Sequence, residues 1–127
     1  MKVFIISISI LLTLNNNDRL AGSIWTCKIA NGCIDTLKFM TKEKVTDYNC
    51  EQDYTFHGSY IISKDTLVIT EKDDSHSEDG GKTSFFRSKF LMSEKNVLYL
   101  INNGELIKGK WKYKSAQLLH SFYKKIN

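Results

Sequence analysis

Few residues in this chain have chemistry to offer: Cys27, Cys33 and Cys50, the histidines His57, His76 and His120, and carboxylates at Glu51, Asp53 and from Glu71 to Asp79. Three thiols allow at most one intrachain disulfide and leave one thiol over. A turn over Lys28 to Gly32 would set Cys27 opposite Cys33, and a turn at Lys42-Glu43 would set Cys50 opposite Asp35, diagonal to Cys33. Cys27–Cys33 and Cys33–Cys50 are therefore equal alternatives on geometry. Zinc would need a fourth ligand, and no histidine lies close in sequence to complete the set. Cys50 and His57 fall on what read as neighbouring strands and make the only nucleophile and base pair worth naming. Glu51 and Asp53 are the simplest paired carboxylates for acid and base work. Between Lys72 and Lys82 the run Asp73, Asp74, Ser75, His76, Ser77, Glu78, Asp79, Gly80, Gly81 supplies the oxygens a calcium loop uses. Its spacing is not that of an EF-hand, because no glutamate stands at the twelfth place. None of these sets amounts to a catalytic signature, so the expectation is a protein that is not an enzyme, with no cofactor and no metal.

The elements that must position these groups are strands. Gly58 to Thr70 carries two runs rich in aromatic and β-branched residues around Ser63-Lys64-Asp65-Thr66, the composition of a tight hairpin. Period-two alternation puts Gly58, Tyr60 and Ile62 on one face of the first strand, and Leu67 and Ile69 on one face of the second. Strands are likewise expected over Ser23 to Ile29, Cys33 to Met40, Val45 to Cys50, Tyr54 to Ser63, Thr66 to Glu71, Thr83 to Met92 and Val97 to Ile101. A further hairpin signal falls at Asn102-Asn103-Gly104. Leu106 to Tyr113 then offers Ile107, Trp111 and Tyr113 to one side, with Lys108, Lys110, Lys112 and Lys114 turned outward. His120 to Ile126 reads as a closing strand able to pair with the first. Proline is absent, so strand edges must be protected by closure, lysines or bulges.

The 127 residues suit one domain able to bury a core of its own. The net charge of +4 is unevenly spread: Glu71 to Asp79 holds five acids and one lysine, whereas Glu105 to Asn127 holds six lysines and one acid. Only Arg19 and Arg87 are arginines. Phosphate and groove recognition favour arginine, so no nucleic-acid partner is expected. Met1-Lys2 followed by the apolar run Val3 to Leu14 has the layout of a secretory signal and is too short to span a membrane. Residues 1–19 accordingly read as signal peptide and short polar linker, residues 20–127 as the mature domain. The expected location is periplasmic or extracellular, with no stable membrane span after processing.

Leu20-x-Gly22-x-x-Trp25 and a hairpin, then Leu37-x-Phe39, Gly58-x-Tyr60-x-Ile62-x-x-Asp65-x-Leu67-x-Ile69 and Leu98-x-Leu100, resemble the small bacterial lipocalin-like domains of the calycin superfamily. The resemblance covers roughly residues 20 to 126. It implies an all-β, up-and-down antiparallel barrel of about eight strands, with the early tryptophan closing one end. It further implies a small apolar ligand inside, contacted by Trp25, Leu37, Phe39, Tyr48, Tyr60, Phe86 and Phe90. The chain is short for a secreted lipocalin, and Phe56 adds to the rings that could fill the interior. The alternative is an inhibitor or immunity-type module binding a protein partner through Asp73, Asp74, His76, Glu78, Asp79 and Phe85.

Overall fold

Successive strands of this chain pair with their sequence neighbours until the last returns to the first, as seen in a computed structural model that describes residues 19–74, 83–115 and 122–127. The strands are β1 (Ile24–Ala30), β2 (Cys33–Phe39), β3 (Lys44–Asn49), β4 (Tyr54–Ser63), β5 (Thr66–Asp73), β6 (Ser84–Leu91), β7 (Val97–Ile107), β8 (Lys110–Ser115) and β9 (Phe122–Lys125). All pairings are antiparallel, and β6 pairs with β7, so the sheet closes into a barrel. β8 and β9 lie along the same edge of β7, β8 against Asn102 to Ile107 and β9 against Val97 to Tyr99. They act as one interrupted eighth strand, and β9 completes the ring by pairing with β1 at Trp25 and Thr26. Among the described residues no helix is long and apolar enough to cross a membrane.

The core occupies the end of the barrel marked by Trp25. Leu37, Phe39, Val45, Tyr60, Leu67, Ile69 and Leu98 are each at most 2% exposed, and Trp25 and Phe90 join the same cluster. The expected alternation in the β4–β5 hairpin holds: Tyr60 stands opposite Ile69 and Ile62 opposite Leu67. Gly22 adopts φ +82°, a conformation glycine reaches without Cβ strain, and its N–H donates to the Phe39 carbonyl at 2.7 Å. That turn drops Leu20 onto the core and buries Ser23, whose hydroxyl accepts the Trp25 indole N–H at 2.8 Å. The indole polar edge is thereby satisfied, and the ring seals the end. The Tyr60 hydroxyl donates to the Thr41 carbonyl, and its ring meets Phe39 edge-on at 4.9 Å.

Several expectations need correction. The first hairpin sets Cys27 opposite Asp35, not Cys33, because its turn is only Asn31-Gly32, which puts Ala30 opposite Cys33, and the irregularity between Lys28 and Ala30 shifts the register by just one residue. Asn102-Asn103-Gly104 is not a turn but lies inside β7; the turn falls at Lys108-Gly109, both with positive φ as a two-residue hairpin loop requires. The faces of β8 are consequently the reverse of the expectation. Gly58, Glu71, Phe86, Glu105 and Lys112 form one cross-strand row, and residues directly opposite share a face. Glu71 points inward, so Lys112 belongs to the inner face at the open mouth, while Trp111 and Tyr113 lie outside.

Candidate functional site

Burial along the inward rows divides the interior in two. From Trp25 to Leu98 the inner positions are sealed, but Asp35, Asp47, Phe56, Phe86, Ser88 and Tyr123, toward the opposite end, are only half-buried. This less sealed end of the interior, the cup of the barrel, rests on the packed core, and its inner positions combine acids with aromatic rings. Its most unusual occupants are Asp47 and Glu71. Alternation along Val45–Asp47 and along Leu67–Ile69–Glu71 forces both carboxyls inward. Asp47 stands opposite Leu37 and Phe56, and Glu71 opposite Gly58 and Phe86. A Cβ at Gly58 would meet the Thr70 carbonyl and stand 3.0 Å from Glu71 Cγ, so the glycine makes room for the glutamate stem.

The two carboxyls hydrogen-bond to each other. Burial, then the charge and hydrogen bond of Asp47, push the Glu71 carboxyl up to about 10. Asp47 is also raised, chiefly by burial, although the bond from Glu71 opposes the rise. Glu71 is therefore the partner that keeps its proton at neutral pH and donates it to Asp47. Tyr123 stands opposite Leu98 on β9 and meets Phe90 edge-on at 5.8 Å. Burial, followed by the nearby Asp47 and Asp35 charges, pushes its phenol well above the usual range, so it stays neutral.

Beside the pair, the Asp35 carboxylate accepts the Cys50 N–H at 2.9 Å. Cys33 and Cys50 form the disulfide, with Cα atoms 5.4 Å apart, and tie the start of β2 to the chain just past β3. Cys27 stays outside the disulfide, buried opposite Asp35. Burial and the Asp35 charge push its thiol up, the opposite of what a nucleophile needs. The disulfide also removes Cys50 as a nucleophile, so the Cys50–His57 pairing is corrected: the sulfur is bonded, and the exposed His57 faces Thr46 and Lys72 on the outer surface.

Of the expected interior contacts, Trp25, Leu37, Phe39, Tyr60 and Phe90 sit together, but as a filled core, while Phe86 lines the cup. Tyr48 is the exception. It lies in an outer row with Thr36 and Thr55, and its hydroxyl donates to Asp53 at 2.8 Å, which engages that acid as well. Of the expected partner-binding set, Phe85 is 38% exposed opposite Lys72, Asp73 closes β5, and Asp74 accepts the Tyr54 hydroxyl at 2.9 Å. His76, Glu78, Asp79 and also His120 lie outside the described residues. Among the described residues no group of three or more histidines, cysteines or acids is placed to hold a metal ion.

Asp35 and Asp47 are the site residues that motif reasoning missed, and Glu71 was visible only as the start of an acidic run. The signal was their parity: each shares its strand face with Leu37, Val45 or Ile69. No protein-family model, curated protein or solved structure matches the chain.

Proposed function

We propose that this is an exported, non-enzymatic binding protein of lipocalin-like type that takes a small, largely apolar ligand bearing one cationic or hydrogen-donating group into the open half of its barrel. The observation that carries the reading is the hydrogen-bonded Asp47–Glu71 pair set in the wall of a cup floored by aliphatic and aromatic side chains. Desolvated carboxyls work against folding and are kept where a site needs them. An ammonium group replaces the shared proton as the compensating charge, while an alkyl or aryl body rests on Phe56, Phe86 and Tyr123. The disulfide fits an oxidising compartment, in keeping with the leader-like first residues.

Thermal unfolding with dodecylamine, dodecanol and dodecanoate at equal concentration tests it. The amine raises the midpoint in a concentration-dependent way and the carboxylate does not. In Glu71→Gln/Asp47→Asn the amine loses its advantage over the alcohol. Equal shifts for all three compounds, or an amine effect untouched by the double substitution, would overturn the proposal.

A further inference from the structure

Outward positions of β5, β6 and β8 read Val68, Thr70, Lys72; Phe85, Arg87, Lys89; and Trp111, Tyr113: three cations, three rings and no acid. We infer that this outer face is a binding surface for an acidic saccharide, one carrying a carboxylate or sulfate on its ring, quite apart from the cup inside the barrel.

Its centre is Arg87. The guanidinium carbon lies 4.0 Å from the Trp111 ring centroid, Nε–H donates to the Thr70 hydroxyl at 3.1 Å, and Nη1–H donates to the Tyr113 hydroxyl at 3.4 Å. A guanidinium has five N–H donors. Arg87 is thus held in place by neutral groups, with donors left over and no carboxylate partner among the described residues. A fixed fork of that kind suits a carboxylate or sulfate better than a mobile lysine does. Lys89, one step along the strand on the same face, adds a second cation.

Tyr113 is the ring set for a flat ligand, with Trp111 backing Arg87. Trp111 and Tyr113 are 6.4 Å apart between centroids and inclined by 26°. Tyr113 stands opposite Gly104, where a Cβ would come within 2.7 Å of its ring carbons. Only glycine lets the phenol lie down on the sheet, and Tyr113 remains 50% exposed there. Beside Tyr113 is a hollow of about 390 Å³ lined by Val68, Arg87, Lys89, Asn102 and Tyr113. The Asn102 amide oxygen is shielded from solvent with no hydrogen-bond partner. A saccharide brings hydroxyl donors alongside its acidic group, which a simple anion does not. Two of the three cations, Arg87 and Lys89, line this one hollow, which suits a single charged sugar better than a strand with a phosphate at every unit.

Calorimetric titration of the mature chain with hexasaccharides of polygalacturonate and of chondroitin sulfate tests this, with maltohexaose and a dodecamer of thymidylate as comparators. A site for a carboxylate takes both acidic sugars, since chondroitin sulfate carries uronate carboxylates beside its sulfates, whereas a site that needs sulfate takes only the second. At least one should bind, more weakly as salt is raised. Affinity should fall about tenfold in Arg87→Lys and in Tyr113→Ala, fall in Lys89→Gln as well, and hold in Glu71→Gln, which alters only the cup. Stronger binding of maltohexaose or the oligonucleotide, no binding of either acidic sugar, or wild-type affinity in both Arg87→Lys and Lys89→Gln would overturn the inference.

Discussion

Glu71→Gln should make this protein more stable at neutral and mildly alkaline pH, and the reason can be worked from the cup. Burial and Asp47 move the Glu71 carboxyl from 4.5 to about 10. In the unfolded chain the same group ionises near 4.5, so between those values the folded state binds the extra proton. Stability then falls as pH rises, at about 1.4 kcal/mol per pH unit for one proton. From pH 5 to 8 that is at most about 4 kcal/mol, and water reaching the half-buried Asp47 lowers the expected drop to roughly 2–4 kcal/mol. Cys27 and Tyr123 ionise above this window in both states, their values being raised from already high ones. Glutamine keeps the shape, carries no charge to desolvate and donates an N–H to Asp47. Urea unfolding followed by tryptophan fluorescence at pH 5, 6, 7 and 8 should give a falling wild-type profile. The variant should be nearly flat, and about 2 kcal/mol ahead of wild type at pH 8. A flat or rising wild-type profile, or a variant that declines with the same slope, would refute the reasoning.

Three further outcomes follow from the same geometry. Replacing Cys33 and Cys50 together by serine opens a cross-link of sequence separation 17 and should lower unfolding free energy by about 2–4 kcal/mol in urea. The lone thiol of Cys27 should resist a disulfide-exchange reagent at pH 8 in the native protein and give one equivalent in guanidinium; fast labelling of the native state would contradict its burial. Gly58→Ala should cost about 1–3 kcal/mol, because the new methyl presses on the Thr70 carbonyl and the Glu71 stem, and pairing it with Glu71→Ala should recover part of the loss.

What could be read from the sequence was whatever depends on local alternation. The β4–β5 hairpin, the Trp25 anchor and the return of the last strand to the first all follow from period-two patterning and turn composition. What escaped was set by register and by tertiary contact. The two-residue turn at Asn31-Gly32 put Cys33 opposite Ala30 and, with the irregularity between Lys28 and Ala30, Cys27 opposite Asp35, and Cys33 pairs with Cys50. Asn102-Asn103-Gly104 has turn chemistry, but its glycine is used instead to let Tyr113 lie on the sheet. Tyr48 has the composition of a core ring, and one residue of parity put it outside with Thr36 and Thr55. The buried carboxyls were hidden for the opposite reason: an acid at an inward position looks like an exception to patterning until the strand is known to be part of a closed ring.

The closure itself is where fold and site meet. β9 holds the ring together through two residue pairs with β1 and three with β7, far fewer than the seven joining β4 to β5. Beyond Thr26, β1 has no ladder partner on the β8 side among the described residues, and a hollow of about 300 Å³ lies there between Cys27, Lys28 and Phe122. Tyr123, carried by this short strand, is the ring that connects the Phe90 floor to the acid pair. Lifting β9 would expose Tyr123 and let water to Asp47 and Glu71 together, relieving the desolvation that holds their shared proton. Protonation of the pair and pairing of β9 with β1 are therefore energetically linked, because both are favoured by the same exclusion of water.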